Sequence, residues 1–307
     1  MRSTHSNLSP IFCLFDDPAK KIDTLLNEGI EGKKPVECEF DGVINRVWVI
    51  NKTAIVQAIT ATMTEQTLFI ADGHHRYETS LAYRNEMRKA LGNKGGHKPY
   101  DYVMMYLNNI HDDGMVILPT HRVLSKDISD DVDINEVLGD LEEAFDVEPV
   151  EVDCQDLATS ARKLTAQLEE AIAEGGIAFT MVLPKCRSYL LKLKADVNID
   201  ELIDDDIAVD IKELDVSILH RYIINRLWLG NPEIELDEEE IFYVKDAADE
   251  LKRMKTGKFG AGFLLNPTRI DQVCSIAGKG LRMPHKSTYF YPKLVTGLVM
   301  RDLNSPW

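Results

Sequence analysis

The chain contains no apolar run near the roughly 20 residues needed to cross a bilayer. Its opening, Met1-Arg2-Ser3-Thr4-His5-Ser6-Asn7, is polar and lacks the apolar core of a secretion signal. Both absences predict a cytoplasmic protein with no membrane partner. Basic residues are scarce: 35 Lys and Arg stand against 51 Asp and Glu, giving a net charge of −16. Nucleic acid is held by Lys and Arg set against phosphates, so general nucleic-acid binding is not expected. Cysteine is sparse too. Cys13, Cys38, Cys154, Cys186 and Cys274 are scattered, odd in number and without a close metal-type pair, so they read as buried free thiols. Internal repeats and low-complexity stretches are lacking. A P-loop is also missing: Lys286-Ser287 resembles its end, but His285 stands where the second Gly belongs, five residues after Gly280.

What remains is an ordinary globular composition, 44% hydrophobic and 28% charged, which excludes a disordered chain. Its 307 residues are enough for about two domains. Most of the acid lies between Asp127 and Glu240. Runs such as Asp204-Asp205-Asp206 and Asp237-Glu238-Glu239-Glu240 read as solvated faces.

The most informative stretch spans residues 67–90. Residues 68–71 form a short apolar run, read as a buried strand. Asp72-Gly73 ends it in a turn, where Gly supplies a positive φ at little cost. Tyr77, Leu81, Ala82 and Met87 then recur at near-helical spacing. Strand, turn and helix meet at His74, His75 and Arg76. A helix start offers unpaired N–H groups and partial positive charge, so cationic side chains there make an anion or phosphate site. A neutral His moves protons near pH 7, and an Arg fork holds phosphate. The bland alternative is a capped helix start with surface histidines. A metal site of Asp72, His74 and His75 is disfavoured, because adjacent residues diverge whereas helical zinc pairs sit at i and i+4.

Elsewhere, residues 40–43 read as a turn, 46–50 as a strand and 53–63 as a helix with Ile55, Val56 and Ile59 on one face. Residues 93–96 read as a loop. Residues 102–107 and 115–118 read as a hairpin about Asp112-Asp113-Gly114. Past Ser125, apolar stripes at 134–145 and 157–172 predict helices, the second ended by Gly175-Gly176. A hairpin at 177–193, a helix over 215–228, strands at 241–244 and 260–265 and a helix over 269–277 complete the outline. Two further clusters carry chemistry. Thr120-His121-Arg122 follows a strand and divides evenly between site and structure. Lys286, in the segment 282–293, is either a point charge for an anion or part of a loop wedged inward by Tyr289, Phe290 and Tyr291.

Ile70-Ala71-Asp72-Gly73-His74-His75-Arg76-Tyr77-Glu78 resembles the signature of a bacterial and archaeal family catalogued as domain of unknown function 1015. Leu118-Pro119-Thr120-His121-Arg122-Val123 resembles its second motif, and residues 283–299 its closing one. More distantly, Gly73, His74, His75 and Arg76 resemble the nucleotide-binding box of the ParB and sulfiredoxin superfamily. Sulfiredoxin's cysteine falls on His74, which argues against thiol chemistry. The ADP-dependent free serine kinases of that superfamily are similar in carrying Asp-Gly-His-His-Arg. Members of the family usually begin well over a hundred residues earlier, with a Lys-His-Glu motif, so this chain resembles a fragment.

The resemblance implies an α/β (α+β) chain: a ParB/sulfiredoxin-like module over 1–125, an acidic α/β segment over 126–208 and a C-terminal α/β segment over 209–307. It implies nucleotide or phosphometabolite binding and, in full-length relatives, phosphoryl transfer to a small hydroxyl acceptor, with Mg²⁺ and ADP or ATP. His74, His75 and Asp72 are the expected catalytic residues. Gly73, Arg76, His121, Arg122 and Lys286 are the expected phosphate-binding ones, and Asp72 would also hold the metal. Two alternatives stay open: a non-catalytic nucleotide- or metabolite-sensing module, and a metal-dependent hydrolase.

Overall fold

A computed structural model describes residues 1–40, 42–92, 97–173, 175–203 and 206–304. The chain is of mixed α/β class and divides into two compact units. The first comprises residues 1–116 and 290–307, the second 117–289. The expected boundaries at 125/126 and 208/209 both fall inside the second unit.

The first unit is built on a three-stranded sheet. Its centre is β1 (Ile11–Phe15), all five residues of which are buried. That is why β1 is an unbroken apolar run rather than an alternating one. The hairpin strands β2 (Val36–Phe40) and β3 (Val43–Val47) pair apart from this sheet. Strand β4 (Phe69–Asp72) lies antiparallel to β1, with Asp72 opposite Phe12, and β5 (Met105–Asn109) lies parallel to β1. Three helices belong to this unit: α1 (Lys21–Ile30), α2 (Thr53–Thr64) and α3 (His74–Ala90). At the end of β1, buried Asp17 ties the unit together. Its carboxylate accepts from Ile22 N–H at 2.9 Å, and its carbonyl accepts from Asn109 Nδ2 at 2.8 Å.

The second unit is a six-stranded sheet. Its strands are β6 (His121–Ser125), β7 (Phe145–Val150), β8 (Ala178–Val182), β9 (Ser188–Leu193), β10 (Ile241–Val244) and β11 (Phe259–Leu265). They are ordered β10-β6-β11-β8-β9-β7, with antiparallel pairs throughout. Helices α4 (Ile134–Ala144), α5 (Leu157–Ala173), α6 (Ala247–Lys255) and α7 (Ile270–Gly278), with a π-helical segment over Ile218–Trp228, supply the apolar faces it needs. Consecutive residues of β6 serve two cores: Leu124 packs with Leu141, Ile223 and Phe263, and Val123 with Leu164, Leu251 and Leu264. This is the period-2 alternation of a strand covered on both faces. The Asp133 carboxylate accepts from Asn135 N–H and caps α4. Helix α5 ends as the glycines predict: Gly175 has φ +81°, and the N–H groups of Gly175 and Gly176 return to Ile172 and Ala171.

Several expectations are corrected. The turn at 112–114 forms, with Met115 N–H on Asp112 C=O at 3.2 Å. No hairpin follows, because β5 pairs with β1 and residues 116–118 are not in that sheet. Cys154 and Cys186, expected as free thiols, form a disulfide across 32 residues, with Cα atoms 6.2 Å apart. One cysteine precedes α5 and the other lies between β8 and β9, so their meeting depends on tertiary packing that sequence spacing does not reveal. The predicted loop at 93–96 lies outside the described residues. No helix among the described residues is long and apolar enough to cross a membrane.

Candidate functional site

The local chemistry of residues 67–90 gives the predicted strand, turn and helix. Strand β4 ends at Asp72, Gly73 turns with φ +94°, and α3 begins at His74. Gly73 suits this corner in two ways. An L side chain is disfavoured at that φ, and a Cβ there would sit 2.6 Å from Arg76 Nε. The guanidinium therefore lies across the glycine. Its Nη2 donates to Asp72 Oδ2 at 2.6 Å and its Nη1 to Ser9 Oγ at 2.6 Å. Lys293 Nζ stands 3.8 Å from Asp72 Oδ1, so two cations flank one carboxylate.

The helix start itself has no side-chain cap and no acidic residue in its first turn. Its leading N–H groups and partial positive charge are thus not offset by a carboxylate in that turn. His74 and His75 are exposed, and His75 Nδ1 lies 3.5 Å from Glu78 Oε2. Arg76 and Asp72 are each only partly covered, with side chains 35% and 47% exposed. An approaching anion would therefore meet open amides, a held guanidinium and two accessible imidazoles.

The donor set does not fit a resident divalent ion. Asp72 faces Arg76 and Lys293, and among the described residues no group of three His, Cys, Asp or Glu could hold a metal. A carboxylate already between two cations is a poor hard-metal ligand.

His121 and Arg122 belong to a different environment, the interior of the second unit. Arg122 is wholly buried. Its Nε donates to His220 Nε2 at 3.0 Å, its Nη2 to Lys286 C=O at 3.0 Å, and its Nη1 to Thr120 Oγ1 at 2.9 Å and to Thr120 C=O. The Tyr243 ring lies 5.3 Å from its guanidinium carbon. Burial pushes the Arg122 guanidinium down to about 10, which still leaves it charged at neutral pH. His121 is buried, and its Nδ1 accepts from Leu265 N–H at 3.3 Å. Burial first, and the neighbouring Arg122 second, drive the His121 imidazole down to about 4, so it is neutral. Both side chains, expected at a phosphate, are buried here with polar atoms engaged inside the second unit. Lys286 divides its functions. Its carbonyl accepts from Arg122 and Thr120, while its exposed ammonium sits 5.8 Å from the Tyr243 ring centre.

Sequence reasoning missed three residues. Ser9 lies 67 residues before the Arg76 it meets and Lys293 lies 221 residues after the Asp72 it approaches, so only tertiary structure reveals them. Buried Glu250 was also missed. Neither of its carboxylate oxygens has a hydrogen-bond partner, and burial raises its pKa well above the usual carboxylate range against the opposing pull of Arg122.

The fold is that of an α/β chain whose strand-to-helix turn places Asp72, His74, His75 and Arg76 at one corner. A family model described as a protein of unknown function, DUF1015, matches residues 1–217. The chain belongs to that family, and the matched stretch includes both the Asp72–Arg76 turn and the Thr120–Arg122 segment. No curated protein matches. Among solved structures, a free serine kinase variant in complex with ADP aligns at 15% identity and TM-score 0.37, covering 93% of this chain and 87% of that one. A free serine kinase in complex with AMP aligns at 16% and 0.35, with the same coverages. A conserved hypothetical protein from Pyrococcus furiosus aligns at 16% and 0.35, covering 93% and 91%. Superpositions this loose carry no functional argument, which must come from the site.

Proposed function

We propose that the chain binds the phosphates of a nucleotide at the turn from Asp72 to Arg76, and that the turn serves phosphoryl transfer to a small hydroxyl compound. One observation carries the reading: an uncapped helix start without acid in its first turn, beside a guanidinium fixed by Asp72 and Ser9. Amides of Gly73, His74 and His75 would hold phosphate oxygens, and Arg76 would add a directed charge. An exposed imidazole, His74 or His75, would take the acceptor's hydroxyl proton at a ring nitrogen. The protein's own donor set does not fit a resident ion. Any Mg²⁺ would arrive on the nucleotide. The same Asp-Gly-His-His-Arg run in the ADP-dependent serine kinases is consistent with ADP or ATP as the nucleotide.

Calorimetry with ADP, ATP and CTP tests the binding step. Saturable heat with at least one of them, lost in Arg76→Ala, is expected; equal heats for both proteins would remove the role. A second reading, sensing without transfer, is favoured by Asp72, whose carboxylate is ion-paired rather than open as a base. Phosphate transfer to hydroxy amino acids that disappears in His75→Ala would exclude it.

A further inference from the structure

The second unit holds a cavity of about 620 Å³, within the range of small-molecule sites. Leu214 and Ile276 give it apolar wall, Asp210, Glu213, Asp215 and Asp271 give it negative charge, and Arg269 adds one positive group. Two of these carboxylates are already compensated. Asp210 pairs with Lys279, and Asp271 pairs with Arg269 at 3.2 Å. The helix start beside it is closed as well, since Gln272 Oε1 accepts from Arg269 N–H at 3.0 Å. Glu213 and Asp215 remain. No other described residue hydrogen-bonds or ion-pairs the Asp215 carboxyl, which burial lifts to about 6 despite the field of Arg269. A partly buried acid lining a cavity without a bonded cation is a group whose ionised form a positive ligand would satisfy.

We propose that this cavity binds a small organic cation, a primary amine on a short apolar stem, with the ammonium received by Asp215 and Glu213 and the stem against Leu214 and Ile276. The site lies wholly within the second unit and is independent of the nucleotide reading.

The test is calorimetry of the full chain at 0.1 M salt with 1,4-diaminobutane, using 1,4-butanediol as the uncharged isostere. One saturable equivalent of the diamine is expected, and none of the diol. Asp215→Asn should weaken diamine binding about tenfold, the loss of one charge-assisted hydrogen bond. Diffuse attraction to a chain of net charge −16 would barely notice one charge fewer. Absence of saturable binding, equal binding of the diol, or an unchanged Kd in Asp215→Asn would each overturn the proposal. Glu213 is exposed, so Glu213→Gln keeps the fold and carries the test should Asp215→Asn unfold; an unchanged Kd in Glu213→Gln would then overturn the proposal.

Discussion

Arg76 and Arg122 each follow a histidine near a strand end, yet their surroundings assign them opposite work. Arg76 is partly exposed and held by one carboxylate and one hydroxyl; Arg122 is sealed in with its donors on His220, Thr120 and Lys286. Removing Arg122 strands several buried acceptors, so Arg122→Met should cost roughly 3–5 kcal/mol of stability. Arg76→Ala loses a half-exposed ion pair and should cost about 1 kcal/mol or less. Urea unfolding of the two variants checks this ranking, and similar midpoints would contradict it. Gly73→Ala should destabilise by about 1–2 kcal/mol through its left-handed φ. It should also displace the Arg76 guanidinium, visible as loss of nucleotide heat. At this scale the sequence is a poor guide. His75-Arg76 and His121-Arg122 look alike locally, and only the strands on both sides of β6 and the cores on both of its faces bury the second pair.

At the scale of elements, local signals were sufficient wherever pairing was local. The β4–turn–α3 corner, the β8–β9 hairpin and the glycine end of α5 follow from turn chemistry and periodicity. Pairing between distant segments did not follow. Strand β5 lies against β1, some 90 residues earlier, because a buried strand needs neighbours on both sides, and nothing near residue 116 signals that choice. The Cys154–Cys186 link is a further case of distant pairing. It closes a loop of 32 residues around α5. By loop-closure entropy it should contribute about 3–4 kcal/mol. Unfolding in urea with and without reductant measures that contribution, and coincident curves would contradict it.

At the scale of the molecule, buried titratable groups in the second unit set opposing pH slopes. The His121 and His220 imidazoles are pushed down to about 4 and about 3 by burial, with Arg122 adding to the effect. Their contribution is present above the unfolded histidine value of about 6.5 and is lost as pH falls through the folded values. Glu250 runs the other way. Its raised folded pKa makes its contribution full below the unfolded value of about 4.3, and that contribution is lost as pH rises through the folded value. Glu250→Gln should therefore flatten the decline of Tm on the alkaline side and leave the acid side intact. Melting curves from pH 4 to pH 9 decide it; an unchanged alkaline slope would show that Glu250 is not its source.

The central claim is that backbone amides at the start of α3 hold phosphate. Amide chemical shifts recorded by NMR during titration with ADP address it most directly. The account predicts saturable movement concentrated at Gly73, His74, His75 and Arg76. Saturable ADP binding that leaves those four amides unmoved would contradict it.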